Sequence, residues 1–207
     1  MTERQEHWEA VYRTRPPDQV GWYQAEPELS LRFIRSCSPE ACGRVLDVGG
    51  GASLLADFLV REGGWDVTVM DISQAALDTA AARLGPLASR VRWVRADVTR
   101  MPDVGPVDVW HDRAVFHFLT DPGDRAAYRD AVLRHVPPGR WVVLATFRPG
   151  APPKCSGLDV VRYDAEGLST ELGPDFELVE EATEEHYTPG GTHQPYIFTR
   201  FQRERRT

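Results

Sequence analysis

VLDVGGGASLL, residues 45–55, sets three consecutive glycines directly behind an aspartate, between the end of one apolar run and the start of another. Val45 to Val48 reads as a strand, the glycines as a turn that must stay free of side chains, and the residues from Ala52 as a helix. Glycine in such a turn supplies a positive φ or lets another group approach the backbone. Outward from this turn, strand and helix patterns alternate. WDVTVMD (65–71), VRWVRAD (91–97), VDVWHD (107–112) and RWVVLATF (140–147) read as strands. ASLLADFLVREG (52–63), SQAALDTAAARLG from Ser73, and DRAAYRDAVLRHV (124–136) read as helices, the last stopped by Pro137, Pro138 and Gly139. This alternation predicts βαβ units and a parallel sheet with helices on both faces. After Phe147 the pattern changes. RPGAPPKCSG (148–157) is a Pro/Gly loop, DAEGLSTEL (164–172) a short helix, and FELVEEATEEHY (176–187) with QPYIFTRFQ (194–202) an antiparallel pair of strands.

Composition narrows the possibilities. The chain has 207 residues, 42% hydrophobic and 27% charged, which suits one domain with a substantial core. Its net charge of −7 argues against generic nucleic-acid binding, which rests on Lys and Arg meeting phosphates. The basic tail, Arg200 and Arg203 to Arg206 around Glu204, reads as a solvated terminus. No apolar run approaches the roughly 20 residues that span a bilayer, and the first residues lack the apolar core of a secretory signal. Cys37, Cys42 and Cys155 form neither a disulfide framework nor a zinc pattern, so the expected setting is the cytoplasm, with no bound metal.

Three aspartates end the first three strands. Asp47 precedes the glycines, where it would repel a pyrophosphate and suit a ligand carrying positive charge. Asp71 follows Gly51 by about twenty residues, the place from which a carboxylate reaches a ribose diol. Asp97, in RADV, is placed to accept from an exocyclic adenine amine. Ligands of open α/β sheets bind at that edge. The dinucleotide fingerprint G-x-G-x-x-G is incomplete, since Gly49 and Gly51 fit but Leu54 stands at its third position.

VLDVGGGAS, VTVMDIS, VRADV and LRHVPPGRWVVLATF, in this order and spacing, resemble the class I S-adenosylmethionine-dependent methyltransferases. The resemblance covers about residues 44–148, and the final antiparallel strands agree with it. It implies a Rossmann-like α/β fold whose mostly parallel seven-stranded sheet ends in an antiparallel pair, with S-adenosyl-L-methionine as cofactor. Gly49 and Gly51 would lie against the methionine part, with Asp47 helping to hold its amino-acid end. Asp71 with Ile72 would bind the ribose, and Asp97 with Val98 the adenine. Ser53 replaces a glycine of the family pattern, either to bond the cofactor's carboxylate or to cap the helix. The segment WHDRAVFHFL lacks the N-P-P-Y type motif of base-methylating enzymes.

The leader, HWEAVY followed by Trp22-Tyr23 and a helix from near Pro27, is similar to that of elongation-factor-type lysine methyltransferases. That similarity implies Trp8, Tyr12 and Trp22 closing over the cofactor and Arg113 touching its carboxylate; a sulfonium attracts aromatic faces and Arg pairs a carboxylate. A single domain is expected over 1–207: an aromatic lid (1–40), a cofactor-binding core (44–148), and a loop with terminal strands (149–207). The expected reaction is methyl transfer to a small nucleophile, a thiol among the candidates. Protein lysine methylation and non-catalytic cofactor binding are the alternatives. Asp112 and His111 are the candidate acid–base groups. His117, Cys155 and the His186, Tyr187, His193, Tyr196 group are further candidates near the acceptor.

Overall fold

The structure is a computed structural model that describes residues 2–205, so Arg206 of the basic tail lies outside the described residues. Five parallel strands form the core of the sheet: β1 (Gly43–Val48), β2 (Trp65–Asp71), β3 (Val91–Arg95), β4 (Val109–Arg113) and β5 (Trp141–Phe147). A short ribbon follows, β6 (Lys154–Cys155) and β7 (Leu158–Asp159), then the antiparallel pair β8 (Phe176–Tyr187) and β9 (His193–Arg203). The order across the main sheet is β3-β2-β1-β4-β5-β9-β8. The chain runs outward from β1 to β3 and then returns to β4, so a crevice opens beyond the carboxyl ends of β1 and β4. This is the Rossmann-like methyltransferase fold, with its mostly parallel seven-stranded sheet and C-terminal antiparallel pair.

Side-chain alternation along the strands builds two cores. Val45, Val67, Val69, Val109 and Val143 face one side, against helices α2 (Glu28–Ser36), α3 (Leu55–Glu62) and α4 (Gln74–Leu84). Leu46, Val48, Trp110, Val142 and Leu144 face the other, against α5 (Pro122–His135) and α6 (Ala165–Leu172). The leader is a helix as well, α1 (Glu3–Thr14), packed beside α4.

Several boundaries differ from the sequence reading. α3 starts at Leu55 rather than Ala52, because the turn continues: the Ser53 amide donates to Gly50 O (2.8 Å) and the Ser53 hydroxyl accepts from the Leu55 amide (3.1 Å). Leu54 is the N-cap residue, and the Ser53 hydroxyl braces the turn just before it. β3 ends at Arg95, and Asp97 caps a short 3-10 turn over Val98–Arg100. α5 starts two residues early, since Asp121 accepts from the Gly123 and Asp124 amides and Pro122 needs no hydrogen-bond partner at the first turn. The β6–β7 ribbon, which begins in the Pro/Gly loop, is marked by no local residue pattern.

Candidate cofactor and acceptor site

The glycines are required by what surrounds them. Gly49 has φ +65°, and a Cβ there would lie 2.0 Å from Val115 Cγ2. A Cβ on Gly50 would lie 2.4 Å from Asp47 Oδ2, and one on Gly51 (φ +45°) 2.7 Å from the Tyr12 hydroxyl and 2.8 Å from Asp71 Oδ2. The bare turn is therefore bordered by two of the predicted acids and by an aromatic of the leader.

A crevice with an interior volume of about 80 Å³ lies beside it. Asp71, Ile72, Asp97 and Val98 line one end. Asp71 Oδ1 accepts from the Ser73 amide (2.8 Å) and the residue is only 5% exposed. Burial pushes its carboxyl from 3.8 to about 7 against the help of that amide, and the nearby Asp47 and Glu9 carboxylates add to the rise. Asp97 Oδ1 accepts from the Thr99 amide and hydroxyl (2.9 and 2.8 Å).

The leader helix lines the crevice through Arg4, Trp8 and Tyr12. Trp8, Tyr12 and Trp22 all line it, and their rings meet edge-on or tilted: Trp8–Trp22 at 5.5 Å, Tyr12–Trp22 at 5.9 Å and Trp8–Tyr12 at 6.5 Å between centroids. Phe118 joins from the turn after β4, 5.0 Å from Trp8. Burial, with Asp71 beside it, raises the Tyr12 phenol well above its ordinary range. Two groups that the sequence reading missed fasten the helix. Glu9 accepts from the Ser73 hydroxyl (2.8 Å) and the Ala75 amide (3.3 Å), while Arg4 reaches Asp97 (3.5 Å) and Asp124. The signal was present in the spacing: Arg4, Trp8 and Tyr12 recur every fourth residue and so share one face.

Arg113 stands between this crevice and a second cavity of about 40 Å³, lining both together with Trp22 and Gly49. Its guanidinium donates to Trp22 O (3.1 Å) and Glu184 (3.0 Å) and lies 4.4 Å over the Tyr196 ring, while its Nε is buried without a partner. Asp47 lines the second cavity, as do His111 and Ser30. His111 and Asp47 are register partners on β4 and β1, and His111 Nδ1 donates to Asp47 Oδ1 at 2.7 Å.

The structure corrects the expectation for Asp112. Neighbouring strand residues face opposite sides, so Asp112 points away from the crevice and is fully buried under the other layer. Its carboxylate accepts from the Val115 and Phe116 amides (2.9 and 3.1 Å) and the Tyr128 hydroxyl (2.8 Å), with burial raising it to about 6. His117 is also buried; its Nδ1 accepts from the Phe147 amide (3.3 Å), and burial drives it down to about 3. His186 donates to Gly21 O (2.7 Å), whereas Tyr187 and His193 stack on the exposed surface. Cys155 does line the crevice, its thiol pushed up to about 11 by burial. Among the described residues, no group of three or more His, Cys, Asp or Glu side chains is placed to hold a metal ion.

Residues 45–139 match the family model of a methyltransferase domain. A ubiquinone biosynthesis O-methyltransferase of Thiobacillus denitrificans is 31% identical over 125 residues, covering 59% of this chain and 52% of that protein. One of the same name from Paracidovorax citrulli is 29% identical over 142 residues, covering 63% and 58%. The chain thus spans little more than half the length of these curated relatives. The solved N-methyltransferase NodS from Bradyrhizobium japonicum WM9, in complex with S-adenosyl-L-homocysteine, superposes with a TM-score of 0.72 over 99% of this chain and 100% of its own, at 17% identity. At that identity the likeness shows the fold. Residues 45–139 thus resemble a methyltransferase domain, and the whole chain shares the fold of the solved methyltransferase. The glycine cradle, the strand-end acids and the aromatic cover fit S-adenosylmethionine, the cofactor of this domain.

Proposed function

We propose that the protein transfers a methyl group from S-adenosylmethionine to a small molecule whose nucleophilic atom ionises unaided, a thiol first among the candidates. When bound, the cofactor supplies a methyl carbon activated by a sulfonium. The chain's own residues hold and shield it. Asp71 accepts from the ribose hydroxyls, Asp97 and the Val98 amide receive the adenine, and the bare turn at Gly49–Gly51 lets the backbone approach closely. Trp8, Tyr12 and Trp22 turn aromatic faces to a cation and exclude water. In-line transfer then depends on bringing the acceptor close and aligned.

The observation that carries the acceptor assignment is that, among the described residues, the crevice lining holds no ionisable base besides the strand-end aspartates Asp71 and Asp97. Arg4 and Arg113 are cations, Asp71 and Asp97 stand at the adenosine end, and the Tyr12 and Cys155 protons are held by burial. The remaining lining near Cys155 is Ala114, Val115, Phe118 and Leu119, which suits a compact apolar acceptor. An amine acceptor such as a protein lysine would need a base there. Asp112 serves to shape the turn after β4 instead of taking a proton. Three free cysteines suit a reducing cytoplasm. The test is methyl transfer from radiolabelled S-adenosylmethionine to a panel of thiols, phenols, amines and a protein extract. Turnover of thiols that rises with their thiolate fraction is expected. Transfer to protein lysines alone overturns the small-acceptor reading, and binding without transfer to anything marks a non-catalytic module.

A further inference from the structure

The second cavity contains two complementary loose ends. Asp47 Oδ2, an acceptor, and Arg113 Nε, a donor, are both buried and unpartnered, and both belong to residues that line it. An unmet buried polar atom is unfavourable by about 1–3 kcal/mol, so an arrangement with one of each sign calls for a ligand of matching charges. The cavity offers a carboxylate and a guanidinium, and it meets the crevice at Gly49, Trp22 and Arg113.

Asp47 is held in one orientation. His111 Nδ1 donates to its Oδ1, and in the neutral ring His111 Nε2 accepts from the Ser30 hydroxyl (2.9 Å). The three residues come from β1, β4 and α2 and are each 3% exposed or less. His111 therefore occupies Oδ1 and leaves Oδ2 as the negative pole beneath Gly50, whose missing Cβ keeps the space beside that oxygen clear. The resemblance already assigns Asp47 and Arg113 to the amino-acid end of the cofactor; we infer that Ser30 and His111 are positioning residues that fix Asp47 so that its free Oδ2 selects the α-ammonium. This rests on the methyltransferase reading. It adds to that reading the residues, Ser30 and His111, that make recognition depend on the ammonium.

The test compares three adenosine ligands by titration calorimetry: S-adenosylhomocysteine, its analogue lacking only the α-amino group, and 5′-methylthioadenosine, which lacks the whole amino-acid end. The wild-type protein should prefer S-adenosylhomocysteine to the deaminated analogue by about tenfold or more, the scale of one charge-assisted contact. Asp47→Asn, Ser30→Ala and His111→Phe should each reduce that preference while leaving methylthioadenosine affinity unchanged. The unchanged affinity also reports that a variant is folded; should His111→Phe fail it, the milder Asp47→Asn and Ser30→Ala decide. A preference that survives in the folded variants, or that the wild-type protein lacks, overturns the inference. Failure of the wild-type protein to bind any of the three ligands sinks the methyltransferase reading itself.

Discussion

Asp71 couples the adenosine site to pH. Its carboxyl stands at about 7 instead of 3.8 because burial disfavours the charge more than the Ser73 amide restores it. That displacement is equivalent to about 4 kcal/mol at most, so the empty site holds Asp71 largely protonated in mildly acid solution. Ribose hydroxyls that donate to the carboxylate would favour its charged form, and binding must then expel the proton. At about pH 6, a group titrating near 7 releases roughly 0.9 proton per ligand bound, and at about pH 8 only roughly 0.1. Calorimetric titration of S-adenosylhomocysteine in buffers of different ionisation enthalpy reads this number directly. Affinity should also climb as pH rises toward 7 and level off above it. Asp71→Asn keeps an acceptor for the Ser73 amide but cannot accept as a carboxylate does. It should abolish the proton release and weaken binding about 10- to 100-fold, equivalent to roughly 1–3 kcal/mol. The same titration acts on folding: an acid raised in the folded state adds stability that is complete below about pH 4 and is lost as pH rises through about 7. Wild-type binding with no buffer dependence near pH 6, or unaltered affinity in Asp71→Asn, would refute this reasoning.

Further outcomes follow from other contacts. Glu9→Gln removes the acceptor that ties α1 to the start of α4, so amide exchange in Glu3–Thr14 should accelerate and S-adenosylhomocysteine affinity should fall. Gly49→Ala forces a methyl against Val115 at a positive φ and should lower thermal stability by more than about 1 kcal/mol. Asp112→Ala strands two amides and the Tyr128 hydroxyl, and should cost about 3 kcal/mol in denaturant unfolding while cofactor affinity of the folded protein persists. The wild-type contribution of Asp112 to folding, by its raised value of about 6, is complete below about pH 4 and lost as pH rises through 6. Exposed Cys42 should react with iodoacetamide well before Cys155, whose buried thiol stands at about 11.

The strands of the main sheet were legible because β-period and helix-period apolar patterns alternate, and Ser73 and Pro27 mark helix starts where the sequence shows them. The gathering of Gly49, Asp71 and Asp97 around one crevice was legible too, since a parallel sheet delivers its strand ends to a common edge. Two kinds of information were not. His111 and Asp112 are adjacent in sequence, and only the packing of α2 and α5 settles which layer each one enters. The docking of α1 through Glu9 and Arg4 depends on partners 64 or more residues away, which no local pattern encodes. The buried polar contact of Ser30 was hidden for the same reason, because the serine sits within an otherwise ordinary amphipathic helix.

The central claim is that the strand-end acids and the glycine turn receive an adenosyl sulfonium rather than a pyrophosphate. Titrating the protein with S-adenosylmethionine and with NAD under identical conditions measures that choice. Saturable binding of one S-adenosylmethionine per chain, with none of NAD, is the predicted result. NAD binding in its place, or no binding of S-adenosylmethionine at all, would contradict the account.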